Sequence, residues 1–116
     1  MSESILNTTR HDDLVSRHGK NLFRDLVFLF KDYGPQVEAL KTSLLDSDFE
    51  KCRFIAHKLK GASANLGAEK LSMSCEYFEQ LGADLSSSRE EALERLQALQ
   101  STFQQTVDQL DELIAN

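Results

Sequence analysis

Apolar residues recur at three- and four-residue spacing along most of the chain, the period of amphipathic helices. The first long stripe is Leu22, Phe23, Leu26, Phe30, Val37, Leu40 and Leu44. Gly34-Pro35 interrupts it. A proline inside a helix removes a hydrogen bond and crowds the preceding turn, so this segment is expected as one bent helix or two abutting ones. Asp46-Ser47-Asp48 then reads as a loop and cap cluster before a helix from about Phe49 to Asn65, with Gly67 as its stop signal. A further helix starts near Ala68 and carries Leu71, Cys75, Phe78, Leu81 and Leu85. Ser86-Ser87-Ser88 is a turn, and Ser88 with Glu91 has the spacing of a capping box. The last stripe is Ala92, Leu96, Leu99, Phe103, Val107, Leu110 and Ile114.

Before all of these, the first ten residues are polar and are expected to fray. A short helix is expected from His11 to about His18, capped by Thr8 or Thr9 and ended by Gly19. Each long helix has a single apolar stripe and the connections are short. The predicted fold is therefore all-α, an antiparallel up-down four-helix bundle over about residues 20–115 with a short extra N-terminal helix. Phe23, Phe30, Phe78 and Phe103 are expected to fill its core.

Composition narrows this without changing it. A chain of 116 residues makes one domain, here taken as 1–116. Leu, Ala, Glu, Gln and Lys dominate over Val and Ile, which favours helix over strand. The longest apolar run, Leu26 to Phe30, is five residues and far too short to span a membrane. The N-terminus lacks the basic start and apolar stretch of a secretory signal, so a cytoplasmic location is expected. Cys52 and Cys75 form no CxxC pair and are expected as buried apolar residues. The net charge of −6 makes the whole chain a poor nucleic-acid binder. Its distribution says more. Between Glu50 and Lys70, Lys51, Arg53, Lys58, Lys60 and Lys70 face only Glu50 and Glu69, a window of +3 that leaves −9 elsewhere. Such a basic island fits contact with something anionic, and fits an ordinary solvated helix face equally well.

The wheel of the Phe49–Asn65 segment separates these readings. Cys52, Ile55, Ala56, Leu59, Ala62 and Leu66 cluster on one side at about 100° per residue. His57 projects about 160° from their centre and should face solvent. Gly61 lies one turn later on the same face, Ala64 nearly in line beyond it, and Lys60 and Arg53 flank the histidine. A helical glycine costs about 1 kcal/mol relative to alanine, and no core packing requires one on an exposed face. Small residues beside an exposed imidazole let another protein's surface approach it. The docking patch is therefore placed on Arg53, Phe54, His57, Gly61 and Ala64. Phe54 lies about 130° from the stripe centre, outside the obvious core.

The run Ala56-His57-Lys58-Leu59-Lys60-Gly61-Ala62-Ser63-Ala64-Asn65-Leu66-Gly67 resembles the AHxLKGxxxxxG signature of histidine-containing phosphotransfer (HPt) domains, and Ala68-Glu69-Lys70-Leu71, Cys75 and Glu79 resemble the family's next helix. The resemblance implies a phosphorelay intermediate. His57 would be the phosphorylated residue, accepting phosphate on its outer nitrogen from a receiver-domain aspartyl phosphate and passing it to another receiver. Lys60 would offset the phosphoryl charge, Lys58 would assist more loosely, and Gly61 would leave room for the receiver's loops. The partners implied are response-regulator receiver domains and a hybrid sensor kinase, with the receiver supplying a divalent metal ion and this chain needing no cofactor. In some members a glutamine on the next helix hydrogen-bonds the histidine. Glu79 stands there by counting, and could orient the neutral ring while repelling phosphate.

The chain has no nucleotide-binding loop, so it is expected as a phosphocarrier without autokinase activity rather than an enzyme. The alternative is a helical adaptor that binds an acidic partner without phosphate transfer. His11 and His18, with Asp12 and Asp13 nearby, lack metal-ligand spacing, and no metal site is assigned. The stripes are consumed by one core, so a monomer is expected. The absence of an appended module reads as a free-standing carrier.

Overall fold

Residues 5–81 and 89–115 are described in a computed structural model, and they form six helices. These are α1 (Thr8–His18), α2 (Lys20–Lys31), α3 (Gly34–Leu45), α4 (Phe49–Asn65), α5 (Glu69–Glu79) and α6 (Arg89–Ala115). The described residues are otherwise turns and caps, with no strand. Helix α4 packs on α3 and α5, and α6 packs on α5 and returns to α3, closing a ring of four helices. Helix α2 lies on α6, and α1 lies on α2. Among the described residues no helix is long and apolar enough to cross a membrane.

The joints follow from local chemistry. The stripe interrupted at Gly34-Pro35 resolves into two abutting helices, with the proline in the first turn of α3, where its missing N–H costs nothing. At the end of α3, Ser47 takes φ 59°, and the N–H groups of Ser47 and Asp48 bond the carbonyls of Leu44 and Ser43 at 3.1 and 2.8 Å. This pairing satisfies carbonyls that the helix leaves open. Asp48 then caps α4, its carboxylate accepting from the Lys51 N–H at 3.2 Å. Helix α4 ends the same way. Gly67 has φ 76°, and the N–H groups of Gly67 and Ala68 bond Ala64 and Ser63 at 3.1 and 2.9 Å.

The core is continuous. Phe23, Phe30, Phe78 and Phe103 are buried in it, as are Cys52 and Cys75. Burial pushes the Cys52 thiol up to about 11 and the Cys75 thiol to about 12, so both stay protonated at neutral pH. On α2 the buried face is Phe23, Val27 and Phe30, while Leu22 is exposed. The pure i, i+4, i+7 spacing includes Val27, which the longer stripe skipped, and leaves Leu22 at its edge. Helix α6 buries two threonines, Thr102 and Thr106. Thr106 donates to the Thr102 carbonyl at 2.7 Å, which is how a hydroxyl enters an apolar stripe without an unpaired donor.

The N-terminus departs from expectation. Residues 1–4 lie outside the described residues, but Leu6 is buried and α1 begins at Thr8, capped by Asn7 rather than by Thr8 or Thr9. Asn7 donates its backbone N–H to Gly67 and its side-chain amide to Glu69, both at 2.8 Å, and Arg10 donates to the Asn65 carbonyl at 2.9 Å. The end of α4 has carbonyls without helical partners, and this segment supplies donors to them. Residues 6–10 are therefore tied down rather than frayed. Helix α5 ends at Glu79, earlier than the stripe to Leu85 implies, with Gln80 as its cap residue. Leu85, the Ser86–Ser88 turn and the Ser88 cap lie outside the described residues.

Gly67 is the residue that permits this clamp. A Cβ there would stand 2.8 Å from both the Arg10 Cβ and the Asn7 carbonyl oxygen, at a positive φ. Gly67→Ala should cost on the order of 1–3 kcal/mol in urea unfolding. Unchanged stability would mean that α1 does not hold this close approach in solution.

Candidate functional site

Helix α4 turns one side entirely inward. Cys52, Ile55, Ala56, Leu59, Ser63 and Leu66 are buried, with Ala62 at the margin. Ser63 makes this possible by donating to the Leu59 carbonyl at 2.6 Å, so its hydroxyl enters the core paired. The helical period then forces His57 outward, and its side chain is 79% exposed. Gly61 and Ala64 are exposed on the same face.

The imidazole is nevertheless held. Its Nδ1 lies 3.1 Å from Glu79 Oε2 on α5. The other carboxylate oxygen, Oε1, is shielded from solvent and stands 3.3 Å from the Lys60 ammonium. Lys60 also lies 3.5 Å from Glu76 Oε1. Contact with Glu79 raises the Lys60 ammonium above its ordinary value. Partial burial works to raise the Glu79 carboxyl, but contacts with His57 and then Lys60 outweigh it, and the carboxyl titrates below its ordinary value. Glu79 is thus an anion at neutral pH, and an ionised carboxylate only accepts hydrogen bonds. Nδ1 is then the donor in this contact, and in the neutral form of the ring the lone pair lies on Nε2.

The sequence-predicted residues divide accordingly. His57, Lys60 and Glu79 are brought together. Lys58 is not; its ammonium sits over the Phe54 ring at 5.2 Å from the centroid. Phe54 itself is 63% exposed. Arg53 is largely committed elsewhere, its guanidinium donating to the Leu81 carbonyl at 2.9 Å and tying α4 to the end of α5. Ala64 borders a shallow hollow of about 420 Å³ with Asn7, Arg10, Ser72 and Met73.

Two features were not foreseen. Glu76 is a second carboxylate on Lys60, and Met73 is an exposed apolar side chain on α5. Glu76 and Glu79 share a face at i, i+3, and Met73 lies off the Leu71–Cys75–Phe78 stripe, so both were visible as oddities of α5. Their placement beside α4 needed the register between the two helices. His11 is a structural contact, its ring edge-on to Phe23 at 4.7 Å and its Nδ1 3.0 Å from Asp12. Among the described residues no group of three or more His, Cys, Asp or Glu side chains is arranged to hold a metal ion.

An exposed histidine thus stands on the second helix of a four-helix ring, with a lysine and a glycine one turn on. The family model for the Hpt domain matches residues 26–115, and the chain belongs to that family. Its domains are helical bundles that carry out histidine phosphotransfer in phosphorelays, as phosphocarrier modules rather than kinases, with response-regulator receivers as partners. No curated protein and no solved structure matches the chain.

Gly61 has open space where a Cβ would stand and no positive φ. Gly61→Ala should therefore raise stability by about 1 kcal/mol in urea unfolding. A loss of stability would give Gly61 a role in folding.

Proposed function

We propose that His57 accepts a phosphoryl group on Nε2 from the aspartyl phosphate of one receiver domain and passes it to the aspartate of another. The observation that carries this is the held ring, with Nδ1 engaged by Glu79 on a side chain that is 79% exposed. The receiver would supply acidic residues and a divalent metal ion, and this chain would bring no cofactor of its own. Positioning and charge stabilisation are its contribution. A hybrid sensor kinase is the expected upstream source, and the carrier is read as a cytoplasmic monomer. Its frame is read as an antiparallel up-down four-helix bundle over about residues 20–115, with the abutting α2 and α3 as its first member and α1 as the short extra N-terminal helix.

Lys60 is read as the residue that meets the phosphoryl group. It begins paired with Glu76 and Glu79, so it must exchange one carboxylate for phosphate as the group arrives. Lys58 is a weaker candidate because it is turned towards Phe54. The receiver is read as docking across Gly61 and Ala64, with Arg53 and Phe54 at the margin. The exposed Met73 extends this surface onto α5.

His57→Gln should abolish transfer of label from a phosphorylated receiver while leaving helicity and melting temperature nearly unchanged. Undiminished labelling would overturn the assignment, and receiver binding without any labelling of the native chain would favour the adaptor. Lys60→Ala should lower the phosphohistidine yield or lifetime several-fold, more than Lys58→Ala does. A larger effect of Lys58→Ala would contradict the geometry. Gly61→Gln should slow transfer without unfolding the chain, and a native rate would remove Gly61 from the docking face.

A further inference from the structure

A hollow of about 480 Å³ opens where α1, α2 and the last turn of α6 meet, and none of the residues assigned to transfer or docking lines it. Its floor is Val15 from α1, Phe23 from α2, and Leu113 and Ile114 from α6. Phe23 belongs to the core, but Val15, Leu113 and Ile114 are only partly buried against it. They keep apolar surface that no further helix covers among the described residues. His11 adds a ring held edge-on to Phe23 at 4.7 Å. The walls from α1 and the start of α2 precede residues 26–115, so much of the hollow lies outside the span that the family model matches.

The rim carries charge of one sign. Lys20 and Arg24 stand on it, one turn apart on α2 and both exposed, and no acidic side chain lines the hollow. Neither cation has an ion-pair partner among the described residues. Other cations of α1 and α2 are engaged, Arg10 and Arg17 with Asp13 and Lys31 with Asp111. In a chain of net charge −6, two neighbouring cations left without carboxylates are a local attractor for an anion. Helix α2 has no side-chain cap at Gly19 and no acidic residue in its first turn, so its open N–H groups reinforce the positive rim. The opposite wall is the C-terminal turn of α6, where the helix dipole has its negative end. An anionic head is therefore directed to the α2 side, and an apolar body to Leu113 and Ile114.

We propose that this hollow binds a small apolar anion, of which a medium-chain fatty carboxylate is the simplest, with its head on Lys20 and Arg24 and its chain on Val15, Phe23, Leu113 and Ile114. The volume lies within the range of about 300–1,000 Å³ typical of small-molecule sites, which are mostly apolar with a few placed polar groups. The boundary of three helices suits a small molecule rather than the face of a protein domain. An inorganic anion would leave the floor unused, and an apolar cation would meet the wrong charge at the rim.

The test is a titration of the full chain, followed by backbone amide shifts, with three probes: octanoate below its micelle concentration, octylammonium and inorganic phosphate. Octanoate should give saturable shifts centred on Val15, Lys20, Phe23, Arg24, Leu113 and Ile114, and the other two probes should give far weaker ones. Lys20→Gln and Arg24→Gln should each weaken octanoate binding about two- to fivefold, and the double variant about tenfold. Both side chains are exposed, so these variants should keep the native spectrum elsewhere. Lys41→Gln removes an exposed lysine of α3 outside the lining and should bind octanoate as the native chain does. Shifts that do not saturate, or that centre on another part of the chain, overturn the inference. Equal binding of octylammonium shows that the rim charge is not read, equal binding of phosphate shows that the floor is not used, and native affinity in the double variant removes the two cations from the site; each of these also overturns it. The readout does not involve His57, so failure here leaves the carrier assignment standing.

Discussion

The rest of the molecule depends on the complete burial of one side of α4. Six residues over fifteen positions, Cys52 to Leu66, are withdrawn from water. At 3.6 residues per turn this leaves no freedom in where His57 points. Each buried aliphatic side chain on that face stabilises the fold by about 1.5–3 kcal/mol relative to exposure, so the orientation of the histidine is held by the core and not by the site itself. The two caps hold the same helix lengthwise. Asp48 fixes its start, and the Gly67 turn with the Asn7 and Arg10 donors fixes its end. The side chain proposed to carry the phosphoryl group is thereby both exposed and set on a helix fixed at its two ends.

The site's electrostatics depend on α5 taking its place beside that rod. Helices α4 and α5 pack closely, joined by the short turn at Leu66–Ala68 and by the Arg53 contact to Leu81. This register brings Glu79 to His57 and both Glu79 and Glu76 to Lys60. The lysine is therefore not a free cation waiting for phosphate. It is a cation stored on two carboxylates in an exposed setting, where exchanging one anion for another costs little. The basic island of the sequence is partly neutralised in the folded chain, and the surface a partner meets is more mixed than its linear charge implies.

Much of this was legible in the sequence, and the boundary is physical. Periodicity within one helix determines which way residues face, so the outward His57, Gly61 and Ala64, the inward Ser63 and the buried Phe23, Phe30, Phe78 and Phe103 could be read from spacing alone. Contacts between helices depend on register and tilt, which spacing does not encode. The wheel sets Lys58 about 100° from His57, farther round than Lys60, but does not show that its ammonium has an aromatic partner in Phe54. Arg53 looked like a docking cation, but α5 ends where its guanidinium can reach a carbonyl. The polar N-terminal residues looked frayed because their partners, Gly67, Glu69 and Asn65, lie some 55 to 62 positions away along the chain. Glu79 could be counted into place beside His57, but its second contact, with Lys60, appears only when both helices are present.

The central claim is that one nitrogen of one histidine carries the phosphoryl group. The most direct measurement is phosphorus–nitrogen correlation NMR on the chain carrying nitrogen-15 histidine, after phosphorylation by a phosphorylated receiver. The account predicts a single phosphorus bonded to Nε2 of His57, with the signal lost on acidification. Phosphorus on Nδ1 of His57, on His11 or His18, or on no histidine at all would contradict it.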